Sequence, residues 1–557
     1  MPRMRIRIRS LPLLLALLVI AACKDKLPSG NTTTTTTLLN PQSVSVLTQH
    51  NENTRSGWNA SETALTTTNV DAQHFGKVFS LTVDDQIYAQ PLVAGHLAID
   101  GSVRNAVFVA TVNNSIYAFD GDNGTLFWKR NYTAPGMRPP SNRDMTGACD
   151  GAYRDFSGNI GIVGTPVIDS ATSTMYFVAR STSNGTFVQH LHAVNILTGF
   201  EVAGSPVDIR ATYAGNGEGS VNNVLTFDPQ KQNQRQALTL VNGVVYVSFA
   251  SHCDWGPYHG WILGYNGATL QRQVVYNDTP DGFAGGVWAS GMGMAADDQG
   301  FLYNVSGNGT VGVPGDPTNV TNRAESALKL AVSGSTLRVV SYFTPFDFQH
   351  MNDEDLDYGG LGAMLIPNSR YFLTGDKAGF LYLLSTEAMG GYSPATNQVQ
   401  QSVRLSATSE MHAQPAYFHG SAQEFVYLWP ENEPLRAIPF DRGTNTLDMT
   451  RATSALVSGP TGHSGAVLSV SSNGDKDGTG IVWASYAATG DAEHDVSPGV
   501  LRAFDANDVT KELWSNQRNA LRDNAGAYAK FASPTIANGR VYLPTFANQV
   551  VVYGLLP

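Results

Sequence analysis

The sequence predicts an all-β protein, an eight-bladed β-propeller of four-stranded antiparallel blades whose last blade is closed by an N-terminal strand. Three observations carry this. A short pattern returns eight times: a small-residue stretch runs into an apolar strand, a turn follows, then a second apolar or aromatic strand. Its spacing of roughly 50–75 residues is that of a radial or stacked array, and four short strands per unit fit a propeller blade. The composition agrees. In 557 residues, 55 glycines supply turns, charged residues are only 15%, and hydrophobic residues at 42% suffice for a core. Finally, the sequence reaches Pro557 one strand short of completing its last unit.

Residues 1–22 read as a targeting segment. MPRMRIRIRS is a basic start and LPLLLALLVI an apolar run too short to be a stable span. Ile20-Ala21-Ala22-Cys23 resembles a bacterial lipobox. That resemblance implies a lipoprotein signal peptide, cleavage before Cys23 and lipidation of its thiol. With Lys24 following, it also implies sorting to the outer membrane of the cell envelope. The bland alternative is an ordinary secretory signal with an incidental cysteine. Residues 23–45, with the run Thr32–Thr37, read as a flexible tether. The propeller is expected over 46–557.

The eight entries are AQPLVAG from Ala89, GTPVIDS from Gly164, ALTLVNG from Ala237, GMGMAAD from Gly291, GAMLIPN from Gly362, AQPAYFHG from Ala413, GAVLSVS from Gly465 and ASPTIANG from Ala532. Alternation is clearest in the first unit. Val107–Thr111 is a strand, Asn113-Asn114 a turn, Ser115–Asp120 a strand, and Asp122-Asn123-Gly124 a turn into Thr125–Trp128. Asn-Asn and Asn-Gly are turn residues because φ > 0 costs them little. Phe75–Val83 resembles an outer strand and is the missing piece of the last unit. Sharing that blade between the two ends of the chain removes open sheet edges.

A net charge of −11 excludes a basic nucleic-acid footprint. Beyond Cys23, the two cysteines Cys149 and Cys253 form either a disulfide or two separate buried thiols. Three segments stand out by composition. Ser251–Trp261 carries His252, Cys253, Asp254 and His259, but the spacing matches no closed structural zinc site. Gly285-Gly286-Val287-Trp288 offers a tryptophan between small residues, either core filler or a stacking floor for a flat ligand. Asp353–Asp357 is an acidic run immediately before an inner strand, where its last carboxylate approaches the axis.

These segments resemble the eight-bladed quinoproteins, the alcohol dehydrogenases that use pyrroloquinoline quinone. The resemblance covers nearly the whole chain after the tether. Asn51-Glu52-Asn53-Thr54-Arg55 is similar to that family's N-terminal entry, and GGVW…YNVSGNGT, from Gly285 to Thr310, is the most specific match. The resemblance implies Trp288 as the floor under the quinone and Asn308 as a calcium ligand. It implies Asp254 in place of the family's calcium-ligating glutamate. Thr344-Pro345 leading to Leu356-Asp357-Tyr358 implies Asp357 as the catalytic aspartate, and Asp376–Phe380 implies Lys377 as the basic residue by the quinone oxygens. The chemistry is coherent. Calcium takes hard oxygen ligands and polarises a carbonyl. Asp357 would take the alcohol proton and Lys377 would stabilise developing negative charge.

The departures from the family are as informative. The chain has no adjacent cysteine pair, Tyr88 stands where a quinone-contacting glutamate is usual, and Gly359 stands where lanthanide-type members place an extra carboxylate. It also lacks a CxxCH haem motif, so an enzyme would need an external electron acceptor. Two functions are therefore expected from this sequence. One is a membrane-tethered quinone- and calcium-dependent oxidoreductase acting on a small-molecule alcohol or sugar. The other is a non-catalytic lipoprotein propeller binding an envelope protein or ligand, since fold alone does not fix function.

Overall fold

The computed structural model describes residues 44–99, 101–406, 410–412 and 414–557. The signal segment, Cys23 and the tether up to residue 43 lie outside the described residues.

Eight blades follow one another around an axis. Blade 1 runs Leu92–Ile99, Ser102–Ala110, Ser115–Asp120 and Leu126–Asn131. Blade 2 spans 167–208, blade 3 239–277, blade 4 295–343, blade 5 364–404, blade 6 416–454 and blade 7 467–515. Blade 8 takes Thr535–Ala537, Arg540–Pro544 and Gln549–Leu555 from the C-terminal side and Phe75–Thr82 from the N-terminal side. The outer strand of blade 6 is split into Thr446–Leu447 and Thr453–Ser454. Within blades, consecutive strands pair antiparallel through hairpins, and first strands of neighbouring blades touch around the axis.

The gradient across each blade follows from this geometry. Inner strands crowd at the axis and most are short, as in Ala295–Ala296, with Leu92–Ile99 of blade 1 the long exception. Second strands are covered on both faces, and Ile481–Ala487 is buried throughout. Outer strands have one wet face, as in Leu126–Asn131, where Trp128 packs inward while Lys129 faces water, and a register shift before Trp128 turns Leu126 outward as well.

The closure of blade 8 is antiparallel, with Lys77 opposite Tyr553 and Leu81 opposite Val550. It is held by packing as well as by ladder hydrogen bonds. Phe75 lies 5.1 Å from the Trp514 ring, 5.4 Å from Trp483 and 6.4 Å from Tyr553, in a cluster that joins blades 7 and 8. On the other face, Leu81 joins Val107, Tyr117, Tyr542 and Val550 in the cluster between blades 8 and 1.

Residues 44–59 run along the inner strands. Val46 bridges Val93 of blade 1, the Leu47 carbonyl accepts from Ile168 of blade 2, and the Asn53 carbonyl from Ala296 of blade 4. Thr54, Ser56 and Gly57 carbonyls accept from Leu365, Tyr417 and Val470 of blades 5, 6 and 7. Arg55 is fully buried at the centre. It donates to Met294 O at 3.0 Å, Thr48 Oγ1 and Gln49 O at 2.8 Å, and Thr239 Oγ1 at 2.7 Å.

Arg55→Ala should therefore lower the unfolding free energy by about 3 kcal/mol or more, because hydrogen bonds to a charged group are worth about 1.5–3 kcal/mol each and their partners are left buried. Arg55→Lys should recover little of this, since an ammonium cannot span the guanidinium fork. Urea unfolding of both variants checks it. A loss below about 1 kcal/mol in Arg55→Ala would show that the axial segment is not anchored by this side chain.

Candidate functional site

Strand direction decides which end of the axis carries side chains that can act together. An inner strand enters at one end and the second strand returns to it. Residues before inner strands and after second strands therefore share a rim. Trp288 precedes the inner strand of blade 4 and Asp357 that of blade 5, while Asp254, Asn308 and Lys377 follow the second strands of blades 3, 4 and 5. All five residues singled out in the sequence belong to this rim.

Three of them, Asn308, Asp357 and Lys377, are in direct contact, and Trp288 lies beside them. Lys377 Nζ lies 2.8 Å from Asp357 Oδ2 and 3.4 Å from Asp355 Oδ2, and 5.9 Å from the centroid of the Trp288 ring. The backbone N–H of Asn308 donates to Asp357 Oδ1 at 2.9 Å, and its side-chain amide donates to Asp355. Asp357 thus has a partner on each oxygen. Gly307 makes this approach possible: a Cβ there would stand 2.3 Å from Asp357 Oδ1.

Asp254 sits at the edge of the same field. Tyr258 donates to its Oδ1 at 2.5 Å. Burial, then the negative charge of Asp357, push its carboxyl up to about 6, against the Tyr258 hydrogen bond. Glu325, beneath Asp357, accepts from the Tyr358 N–H at 2.7 Å through one oxygen while the other has no partner among the described residues. Burial and Asp357 together hold its pKa well above the ordinary carboxylate range. Burial also opposes the charge on Lys377, but Asp357 and Asp355 more than offset it and hold the ammonium above the usual lysine value. Several carboxylates thus compete for one ammonium. The buried Asn308 Oδ1 likewise has no partner among the described residues. Hard oxygen donors in excess of local positive charge suit a calcium ion.

Backbone strain gathers here too. Cys253, Asp254, Ala284, Ala289, Ser290, Glu325 and Asp355 all have φ between 45° and 58°. Such left-handed non-glycine residues cost about 1–3 kcal/mol each and persist where surrounding structure over-determines them.

The rest of the Ser251–Trp261 segment is structural. Cys253 is bonded to Cys149, with Cα atoms 5.5 Å apart. Arg180 donates to His252 Nε2 at 2.7 Å. The proton is therefore on Nδ1, which reaches the Tyr153 hydroxyl at 2.8 Å. His259 is engaged by Thr279 and the Glu218 carbonyl. The disulfide instead fixes the turn that carries Asp254.

The rim divides in two. Over blades 8, 1 and 2 it is filled by apolar side chains, Tyr88, Met145, Tyr153, Phe156 and Phe546 among them. Tyr88 is wedged between Phe156 at 4.7 Å and Phe546 at 4.3 Å, with the Arg235 guanidinium 5.6 Å from its ring. Over blades 3 to 7 the rim is polar. Here the structure adds Glu325 and a second group around His412, Glu431 and His463, which sequence reasoning passed over, and places Asp355 of the acidic run beside Lys377. His412 stacks obliquely on Trp288, 5.8 Å between ring centroids, and Phe531 meets Trp288 edge-on at 6.1 Å. The lipidation expected at Cys23 lies outside the described residues.

No family model and no curated protein matches this chain. Solved structures do. A quinohemoprotein alcohol dehydrogenase from Pseudomonas putida is 13% identical, with 92% of this chain and 80% of that one covered and a TM-score of 0.56. A quinohemoprotein alcohol dehydrogenase from Comamonas testosteroni is 12% identical over 92% and 80%, with a TM-score of 0.57. A europium-containing methanol dehydrogenase is 12% identical over 93% and 99%, also with a TM-score of 0.57. The chain therefore has the eight-bladed fold of the quinoprotein alcohol and methanol dehydrogenases.

Proposed function

We propose that the protein is a quinoprotein oxidoreductase, dependent on pyrroloquinoline quinone and calcium, that dehydrogenates an alcohol or a sugar. The carrying observation is the contact set Asn308–Asp357–Lys377 beside Trp288. Asp254 and the free Asn308 Oδ1 would hold calcium, and Trp288 would stack below the quinone ring. When bound, the quinone supplies the two-electron acceptor and calcium the Lewis acid.

The chain's own residues do the rest. Asn308 N–H and Lys377 fix the Asp357 carboxylate in direction. A substrate hydroxyl arriving at Oδ2 would pass its proton there, with Asp357 as general base. Lys377, released from that oxygen, would donate to negative charge developing above Trp288. Dry packing over blades 8, 1 and 2 would limit water at one side of the site. Electrons would leave to an external acceptor.

We also propose that Cys23 anchors the protein by lipid to the cell envelope. Among the described residues no helix is long and apolar enough to cross a membrane. Cys23→Ser should abolish metabolic labelling with a fatty acid and release the protein from membranes. Unchanged membrane association would overturn the anchor.

One observation favours the non-catalytic alternative: Tyr88 and its aromatic neighbours fill the rim where the family's glutamate is usual. Reconstitution decides between the two. With calcium and quinone added, the wild type should bind a chromophore and reduce dye with some alcohols or sugars. Asp357→Asn should keep the chromophore and lose about 10²–10⁴-fold in turnover, the range for a positioned base. Asn308→Ala should lose calcium and, with it, the chromophore. Wild-type protein that binds no quinone at micromolar concentration makes the propeller a binding scaffold.

The raised Asp254 carboxyl gives a pH signature. A proton must leave before the carboxylate ligates calcium, so affinity should rise with pH through about 6 and level off above that. Calorimetric titration of calcium from pH 5 to 8 reads this. In Asp254→Asn that dependence should vanish, and an unchanged profile would remove Asp254 from the calcium shell.

A further inference from the structure

A second cluster on the same rim has no role in the chemistry above. His412 precedes the inner strand of blade 6, Glu431 follows the second strand of that blade, and His463 precedes the inner strand of blade 7. Two neighbouring blades thus aim two imidazoles and a carboxylate at one point. His412 Nδ1 lies 3.0 Å from Glu431 Oε1, and His463 Nδ1 lies 3.7 Å from the same oxygen. One donor atom from each residue falls within 4.8 Å of the others, and the two imidazole rings are 4.3 Å apart.

We propose that His412, Glu431 and His463 form a binding site for a divalent transition metal of the zinc class, with three protein ligands and at least one position left for water or a ligand.

Spacing is the first argument. Ligands about 2.0–2.1 Å from a tetrahedral zinc stand about 3.3 Å from one another. The two distances to Glu431 Oε1, 3.0 and 3.7 Å, bracket that edge. The second argument is satisfaction. At 3.7 Å, His463 is too far from the carboxylate for a hydrogen bond, and no hydrogen bond to its ring is found among the described residues. An ion among the three would give both rings and the carboxylate a common partner. Donor type is the third. Two imidazoles and one carboxylate suit zinc, iron or cobalt rather than calcium, which prefers oxygen throughout. Glu410 Oε2 lies 3.7 Å from His412 Nε2, beyond hydrogen-bond reach but near enough for its charge to favour a cation at the cluster.

Access differs among the three ligands. The His412 side chain is only 2% exposed, while those of Glu431 and His463 are 11% and 15% exposed, so one ligand is fixed in the wall and two face the opening. The site adjoins Trp288 through His412. It does not depend on the quinone reading, because no residue is shared with the set around Asp357.

The test is a zinc titration of the mature full-length protein, with calcium saturating so that oxygen sites are filled. One zinc per chain is expected. His463→Ala and Glu431→Gln should each weaken it by more than about 100-fold, the upper range for losing merely an outer-shell partner. Cobalt(II) should develop the intense visible absorption of a tetrahedral site in the wild type, and His463→Ala should abolish it. Thermal unfolding of the metal-free variants guards against a trivial loss of fold, with Glu431→Gln as the milder change. His494→Ala, which removes a half-buried imidazole near Asp155 and Glu493, should leave binding unchanged. Absence of stoichiometric zinc, or binding that His494→Ala abolishes and His463→Ala does not, would overturn the site.

Discussion

The segment 44–59 is the constraint on which the rest of the molecule depends. Blades touch chiefly through side-chain clusters, which are non-directional and tolerate sliding. Backbone hydrogen bonds from this one segment to inner strands of blades 1, 2, 4, 5, 6 and 7 fix their heights along the axis relative to one another. Arg55 adds charge-assisted bonds to blade 3 and to the loop entering blade 4. A rim assembled from five loops works only if those heights are set, since a shift of one residue along a strand, about 3.3 Å, would separate Lys377 from Asp357. The segment and the closing strand Phe75–Thr82 belong to the same end of the chain. Sealing the ring and setting its register are thereby coupled.

On that frame the rim concentrates unsatisfied charge. Asp254, Glu325, Asp355 and Asp357 surround one ammonium, and two of the carboxyl groups respond by holding protons beyond their usual range. A fold selected only for stability gains little from this arrangement, since unpaired buried carboxyls and left-handed non-glycine residues each cost free energy. Perturbed carboxyl groups, strain and an orphaned amide oxygen coincide in one place, and the proposed calcium and general base would account for all three.

Much of the architecture was legible in the sequence. The eight entries mark the inner strands, and the C-terminal unit one strand short, together with Phe75–Val83, correctly gave the closure. Trp288, Asn308, Asp357 and Lys377, which the structure brings to one rim, stand in GGVW, SGN, LDY and DKAGF, short contiguous signals that keep the order of their blades. The contacts of Glu325 were not legible. It ends the long connection between Ser306 and Ser326, and only the fold brings it to the Tyr358 N–H. The histidine cluster was hidden for a related reason. His412 and His463 are 51 positions apart, with Glu431 between them, and no local spacing rule joins residues that converge only because adjacent blades turn their entry loops to the same rim. The pairing of Cys149 with Cys253 likewise depends on two loops meeting above blades 1 to 3.

The division of the rim links these features. Apolar packing over blades 8, 1 and 2 takes the space that polar loops hold elsewhere and presses on the turn containing Cys253, where Gly147 leaves room for the Trp255 ring. Asp254 is next in that turn, so the dry half sets the position of a polar residue on the other side of the boundary. Trp288 stands between the two polar groups, with Lys377 near its ring and His412 against it. An oxygen-rich set suited to calcium and a nitrogen-rich set suited to zinc therefore flank one aromatic surface. Their donor types would keep the two proposed ions from exchanging places, because calcium gains little from imidazole and a small tetrahedral ion fits poorly in a wide oxygen shell. Holding both would rest on each blade contributing two loops to the rim at a fixed height. That returns the chemistry to the axial segment and to Arg55.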